Sequence, residues 1–312
     1  MNSQSTAMPE APRDSQISES RISESRGIAP AAVTAMRPFY WSVRRELWEN
    51  RSIYIAPLAV AGLVLLGYLI ASMGYALSTT NMAQRRAAVE EPYTFAMGVI
   101  LGTAFIVSIF YSLDALHGER RDRSILFWKS MPVSDLTTVL SKASIPLLVL
   151  PLLSFAIVVA TELIMLGLSS LVLLASGLPV ATLWTMVFQM WLMLLYHLVT
   201  VHVLWYAPIY GWLLLVSGWA RRAAFLWAVL PWLAIGAVEK IAFNTWHFAA
   251  MLGYRFEGGP EAITAADSFP IDPMMQLTPG RFLSSPGLWI GLVVAAAFLA
   301  AAVRLRRCQG PI

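Results

Sequence analysis

Few residues in the apolar parts of this chain are suited to acid–base or metal chemistry, and they are scattered. Glu162, His197 and His202 lie within long apolar runs. The two histidines diverge around a helix, so they do not converge on one metal ion. The HExxH, GxSxG and GxxxxGK[ST] patterns are missing from the sequence. We therefore expect a chain that is not itself an enzyme and binds neither a metal nor ATP.

Glu162 is the acidic residue near the middle of the third apolar run. An ionisable side chain at membrane depth is costly and marks function by default. Two interpretations stay open. Glu162 lines a transport pathway or binds a cationic substrate, or it is a neutral, hydrogen-bonded glutamate between helices.

The densest group of charged residues lies in the connector, which we define as residues 117–142 between the second and third apolar runs. Charged residues of both signs favour a docking surface. The arginines by themselves are also explained by the preference for basic residues on the cytosolic side of a membrane. Both interpretations stay open at this point. The basic residues are Arg120, Arg121, Arg123, Lys129 and Lys142, and the acidic ones are Glu119, Asp122 and Asp135.

The connector also carries helix signals. Pro132 ends one helix, Ser134 is suited to cap the next, and Asp135 follows in its first turn. The apolar cluster 125–128 includes Phe127 and Trp128. We therefore predict a helix–turn–helix that links two spans.

The composition is that of an all-α membrane protein. Hydrophobic residues make up 58% of the 312 residues and charged residues 13%, whereas soluble domains have about 25% charged residues. A span needs about 20 apolar residues. Six spans are predicted, at about 53–77, 94–116, 143–175, 182–219, 223–243 and 286–303.

The fourth run is long enough to form two spans, with a break near Pro208 and Gly211. Splitting it would move Arg221, Arg222 and the basic C-terminal residues to the outside, which the positive-inside rule disfavours. We therefore predict one span with an extension. The loop 244–285 lies outside in this topology and either covers the outer mouth of a pathway or is a flexible link.

The N-terminal region has two predicted parts. Residues 1–36 are rich in Ser, Pro, Glu and Ala, and this composition predicts a disordered cytosolic tail. Residues 37–50 predict an amphipathic helix in the membrane interface, with Arg45, Glu46 and Glu49 on its polar face, although a plain extension of the first span stays open. The net charge of +4 is modest, so we expect membrane lipid and not nucleic acid as a partner.

Residues 119–142 resemble the connector of type 2 ABC-exporter permeases. The matching positions are Glu119 and Arg120, Ser124, Leu126 and Phe127, Pro132 to Ser134, and Lys142. Two positions depart from the pattern: Ser124 stands where a Gly-Thr pair is common, and Ser141 stands where a glycine is common. The predicted interfacial helix, the six spans and the segment 282–292 also fit, so the resemblance covers roughly residues 37–307.

The resemblance implies a permease domain over 37–307 in the cell (inner) membrane, with both termini cytosolic. A separate ABC ATPase would hold ATP and bind the connector, and a second permease would complete the exporter. It implies charge-assisted contacts from Glu119, Arg120 and Arg123, aromatic anchors at Phe127 and Trp128, and a turn at Pro132.

Two other functional classes stay open. An intramembrane enzyme needs clustered catalytic groups, and a secondary transporter needs paired broken helices and several intramembrane charges.

Overall fold

A computed structural model describes residues 31–75, 82–130, 133–175, 180–259 and 279–308, and this part of the chain contains helices and no strands. Residues 1–30 of the predicted tail, Pro132 and residues 260–278 of the outer loop lie outside the described residues.

Thirteen α-helices occur in the described ranges. Two wider π-helical stretches, Ile145–Val149 and Leu198–Trp205, continue neighbouring helices. The α-helices are α1 Ala31–Glu49, α2 Ser52–Tyr75, α3 Met82–Asp114, α4 His117–Arg121, α5 Ser124–Ser130, α6 Asp135–Ser144, α7 Leu150–Ala175, α8 Ala181–His197, α9 Ala207–Trp219, α10 Ala224–Phe243, α11 His247–Phe256, α12 Pro279–Leu283 and α13 Pro286–Cys308.

Six helical segments of the described chain are long and apolar enough to cross a membrane, which confirms the predicted all-helical class and the number of spans. Long apolar runs favour helices in lipid because all backbone hydrogen bonds are then made within the segment. The segments are Ser52–Ala71, Glu91–Arg121, Asp135–Leu171, Ala181–Trp205, Ala224–Phe243 and Pro286–Cys308.

The fourth apolar run divides into two helical pieces. The first piece continues from α8 through the π-helical stretch to Trp205, and α9 starts two residues later. Pro208 lies in the first turn of α9, where its missing N–H costs no helical hydrogen bond. The break therefore lies just before Pro208, and α9 is the predicted extension in the form of a separate short helix.

The N-terminal helix begins earlier than predicted, at Ala31. Residues 31–36 therefore belong to a helix rather than to the predicted tail, and their sequence AAVTAM contains good helix formers. Pro38 lies inside the helix and not in its first turn. Val43 and Leu47 pack against the bundle, whereas Tyr40 is exposed.

The core at the connector end of the bundle joins α2, α3, α6, α7 and α9. Its buried side chains form one hydrophobic cluster, partly covered by α1. The members include Ile53, Ala104, Tyr111, Ala143, Leu150 and Leu214.

At the end of the bundle opposite the connector, α11 folds back beside α10. The rings of Trp232 on α10 and Phe248 on α11 stack with their centroids 5.7 Å apart. Glu239 fixes the start of α11, because its carboxylate accepts hydrogen bonds from the backbone N–H groups of His247 and Phe248, both at 2.8 Å. The last residues of α11 reach the fourth span, where Trp205 Nε1 donates to the Arg255 carbonyl at 3.0 Å.

Candidate functional site

Six charged side chains meet in a network beneath the connector. Three cations and three carboxylates make this set formally neutral, which reduces the cost of removing these charges from water. We call it the ion network. Its members are Arg45, Glu46, Glu119, Asp135, Lys142 and Arg306. Glu49, whose side chain is about half exposed, lies at its edge, 3.4 Å from Arg45 Nε.

Lys142 and Glu46 form the most deeply buried pair of the ion network. The Lys142 Nζ atom lies 2.8 Å from Glu46 Oε1 and 3.2 Å from Glu119 Oε1. Glu46 is only 1% exposed, and its other oxygen accepts a hydrogen bond from the Tyr111 hydroxyl at 2.9 Å. The Glu46 carboxylate is therefore held by charge and by a hydrogen bond.

Glu119 is the centre of the ion network. One of its oxygens is paired with Lys142 and with Arg45 Nη2, the latter at 3.1 Å, and the other with Arg306 Nη1. Arg306 Nε also lies 3.1 Å from Asp135 Oδ1. Because these residues come from α1, α4, α6 and α13, the network ties the connector to the first helix and the last.

The outer surface of the connector is apolar and aromatic. Phe127 and Leu126 on α5 are each 59% exposed. Trp128 packs edge-on against Phe127 with ring centroids 4.9 Å apart, and the Arg45 guanidinium lies 3.7 Å from the Trp128 ring centroid. This cation–π contact links the exposed edge of α5 to the ion network.

The structure separates the predicted coupling residues into two groups. Glu119 and Arg120 are buried inside the chain, so direct contact with another protein is not open to them in this conformation. Arg123 is exposed and has a left-handed backbone (φ 60°), which ends α4 and redirects the chain into α5. The exposed group therefore contains Arg123 and Phe127, with Trp128 half-buried.

A second set of contacts fixes the start of the connector to α9. The Ser217 hydroxyl accepts hydrogen bonds from the backbone N–H groups of Leu116 and His117, both at 2.9 Å. Arg120 Nη1 donates to the Gly218 carbonyl at 2.6 Å. These contacts satisfy N–H groups at the start of α4 and a carbonyl at the end of α9.

Replacing Ser217 by alanine is expected to reduce the free energy of unfolding by about 1–3 kcal/mol, because two backbone N–H groups lose their acceptor where little water reaches them. Equilibrium unfolding of the purified protein in mixed micelles measures this change. Ser130→Ala is the control, since Ser130 is exposed and its hydroxyl only donates to the Phe127 carbonyl. Equal stability of the two variants would show that Ser217 does not hold the connector.

Helix α6 begins as the sequence predicts. The Ser134 hydroxyl accepts a hydrogen bond from the Thr137 backbone N–H at 3.1 Å, which confirms Ser134 as the N-cap, and Asp135 lies in the first turn.

Glu49 lies on α1 beside the ion network. Partial burial raises the pKa of its carboxyl group above the ordinary value, and the positive charge of Arg45 opposes this shift.

The polar residues of the spans lie apart from the connector. Glu162 is buried beside Trp191. His202 Nε2 lies 3.1 Å from the Tyr210 hydroxyl and packs against Phe105. These contacts give His202 a packing role between the second span and α9.

The ion network was not predicted from the sequence. The amphipathic pattern of α1 assigned Arg45 and Glu46 to a polar surface, whereas both point toward the connector. Lys142 was recognised only through the family resemblance. No spacing signal was available, since Lys142 and Glu46 are 96 positions apart.

No protein-family model, curated protein or solved structure matches this chain.

Proposed function

We propose that this chain is the membrane-spanning permease subunit of an ATP-driven ABC exporter and that a separate ATPase binds its connector. The observation that carries the proposal is an exposed apolar edge, at Leu126 and Phe127, on a connector whose base is fixed by the ion network. A solvent-exposed apolar surface of this kind is typical of a protein interface.

The ion network supplies the mechanical link in this proposal. A displacement of the connector acts on Glu119, which is paired with Lys142 at the start of the third span, Arg45 on α1 and Arg306 on α13. Pulling one of these charges away from its partners in a buried site is costly. The connector, α1 and the ends of two spans therefore move together when the ATPase closes.

The proposal assigns the coupling residues different tasks. Arg123 and Phe127 contact the ATPase, and Trp128 joins that contact to Arg45. Glu119 and Arg120 act within the permease by holding the connector to the spans. This differs from the expectation of direct ATPase contacts by Glu119 and Arg120, because both side chains are buried.

The rest of the assembly follows from the same proposal. The chain itself performs no hydrolysis, ATP is held by the partner, and two permeases complete the exporter in the cell (inner) membrane. Both termini and the connector are cytosolic, and α1 lies in the membrane interface. The exposed aromatic residues of α1, Tyr40, Trp41 and Trp48, support that position. Glu162 belongs to the transport pathway.

Replacing Phe127 by serine is expected to reduce recovery of the ATPase more than about tenfold, because truncating an aromatic interface anchor typically costs at least about 2 kcal/mol. Stability should change little, since the side chain is exposed. The measurement is affinity purification from the native host in mild detergent, with mass spectrometry of the captured proteins.

The matched control is Tyr40→Ser, which removes an aromatic side chain of the same exposure, 59%, from α1 instead of the connector. This variant should recover the ATPase like the wild type. The proposal fails if the wild type captures no ABC ATPase in several detergents, or if Phe127→Ser captures as much as wild type at equal folded yield.

A further inference from the structure

Glu162 is a buried carboxylate with an unused hydrogen-bond acceptor. It lies in the span Asp135–Leu171, roughly 13 Å before the Leu171 end, and is 1% exposed. Trp191 Nε1 donates to Glu162 Oε2 at 2.5 Å. The other oxygen, Oε1, is buried and has no hydrogen-bond partner among the described residues. Leaving a buried acceptor unpaired is costly, so such a group requires an explanation.

The side chains around Glu162 include no cation that pairs with it in the described ranges. Nearby, the hydroxyls of Tyr68 and Tyr93 both bond to Ser169 Oγ, which fixes the orientation of the two rings. The rings lie edge to face with centroids 6.4 Å apart. A carboxyl group thus lies beside preorganised aromatic side chains.

The remaining walls of this region are apolar and adaptable. Met165 is fully buried, and Met186, Met190 and Trp191 pack in the same cluster with Tyr93. Methionine is polarizable and flexible, and it suits surfaces that receive apolar groups of variable shape. The cluster therefore combines one carboxyl group with aromatic and thioether side chains.

We propose that Glu162, Trp191 and Tyr93 form a binding site for a hydrophobic organic cation. The Glu162 carboxylate supplies the opposite charge, the aromatic rings attract the cation through their π faces, and the methionines contact its apolar groups. A metal ion fits less well, because it would need several oxygen ligands. Among the described residues of this cluster, Glu162 is the only one with a carboxyl group. Transport of this cation rests on the proposed function, but binding does not.

The site is closed in this conformation. A cation reaches Glu162 only when the third span separates from the fourth, which carries Trp191. Until then the indole N–H donates to one carboxylate oxygen in place of a ligand. The cation and the Trp191 indole are therefore alternative partners of Glu162, so binding of the cation is coupled to separation of the third and fourth spans.

Binding is tested with the purified full chain in phosphatidylcholine nanodiscs and tetraphenylphosphonium as the probe. Saturable binding is expected for the wild type, and Glu162→Gln should weaken it at least tenfold. The neutral analogue triphenylphosphine oxide should not compete. Glu91→Gln, which alters an exposed carboxylate at the start of the second span, is the matched control and should bind like the wild type.

A second measurement on the wild type does not depend on how the variant folds. Dicyclohexylcarbodiimide, an apolar reagent that modifies carboxyl groups in membranes, should label Glu162, and mass spectrometry locates the label. Tetraphenylphosphonium should slow this labelling, whereas triphenylphosphine oxide should not. The proposal is overturned if the wild type shows no saturable binding, if folded Glu162→Gln binds normally, or if the cation does not slow labelling of Glu162.

The two proposals fail separately. Binding that depends on Glu162 without capture of an ATPase would leave a cation site and remove the permease assignment. Capture of an ATPase that depends on Phe127 without binding of tetraphenylphosphonium would leave the permease assignment and remove the cation site.

Discussion

Replacing Glu46 by glutamine is expected to reduce the free energy of unfolding by about 3–5 kcal/mol, the effect of breaking a buried ion pair. Glutamine keeps the shape of the side chain and can still accept from the Tyr111 hydroxyl. The change leaves the ion network with three cations and two carboxylates. The excess positive charge lies beside Lys142, which is only 2% exposed. Equilibrium unfolding in mixed micelles measures the difference.

The control is Glu49→Gln on the same helix, where the carboxylate is about half exposed and lies 3.4 Å from Arg45 Nε. An exposed pair contributes at most about 1 kcal/mol, so this variant should remain close to wild type. The double variant Glu46→Gln/Lys142→Met restores the charge balance and should recover part of the lost stability. Equal effects of the two glutamine substitutions would contradict a buried network.

Replacing Gly259 by alanine is expected to release the turn at 257–259, which follows α11, from Trp205. Gly259 has φ +63°, and a Cβ atom there would overlap the indole ring of Trp205. Trp205 is 1% exposed and cannot turn away without losing its hydrogen bond to the Arg255 carbonyl. Overpacking of a buried site typically costs about 1–3 kcal/mol, and the left-handed backbone adds to this cost.

The measurement for this substitution is limited proteolysis together with thermal unfolding. Gly259→Ala should increase cleavage between α11 and α13 and lower the melting temperature. The control is Gly253→Ala in α11, where a Cβ atom would meet no other atom within 4 Å and where alanine favours the helix. If Gly259→Ala behaves like Gly253→Ala, Trp205 is not fixed against this segment.

Hydropathy predicted the spans because it depends on residues that are adjacent in the chain. The number of helices long and apolar enough to cross a membrane is confirmed, and the structure moves their bounds. The third span, for example, starts at Asp135 instead of residue 143, because α6 continues into it. The N-cap at Ser134 was also predictable, because a cap uses only residues within one helical turn.

The orientation of α1 shows the limit of a pattern within one helix. The helical pattern of residues 37–50 places Glu46 on the polar face of α1, and the polar face of such a helix usually contacts water. In the structure Lys142 provides Glu46 with opposite charge and a hydrogen-bond donor in place of water, and Glu119 provides opposite charge to the neighbouring Arg45. A single helix contains no information about which partner will approach it.

The sequence by itself therefore determined the all-helical class, the six apolar segments, the cap of α6 and the position of one carboxylate, Glu162, within a span. Tertiary structure alone decided that Glu119 faces inward, that Arg306 pairs with it across 187 positions, and that Trp191 covers Glu162. The physical reason is that apolar length and capping are local properties. The state of a buried charge depends on neighbours that only packing brings into contact.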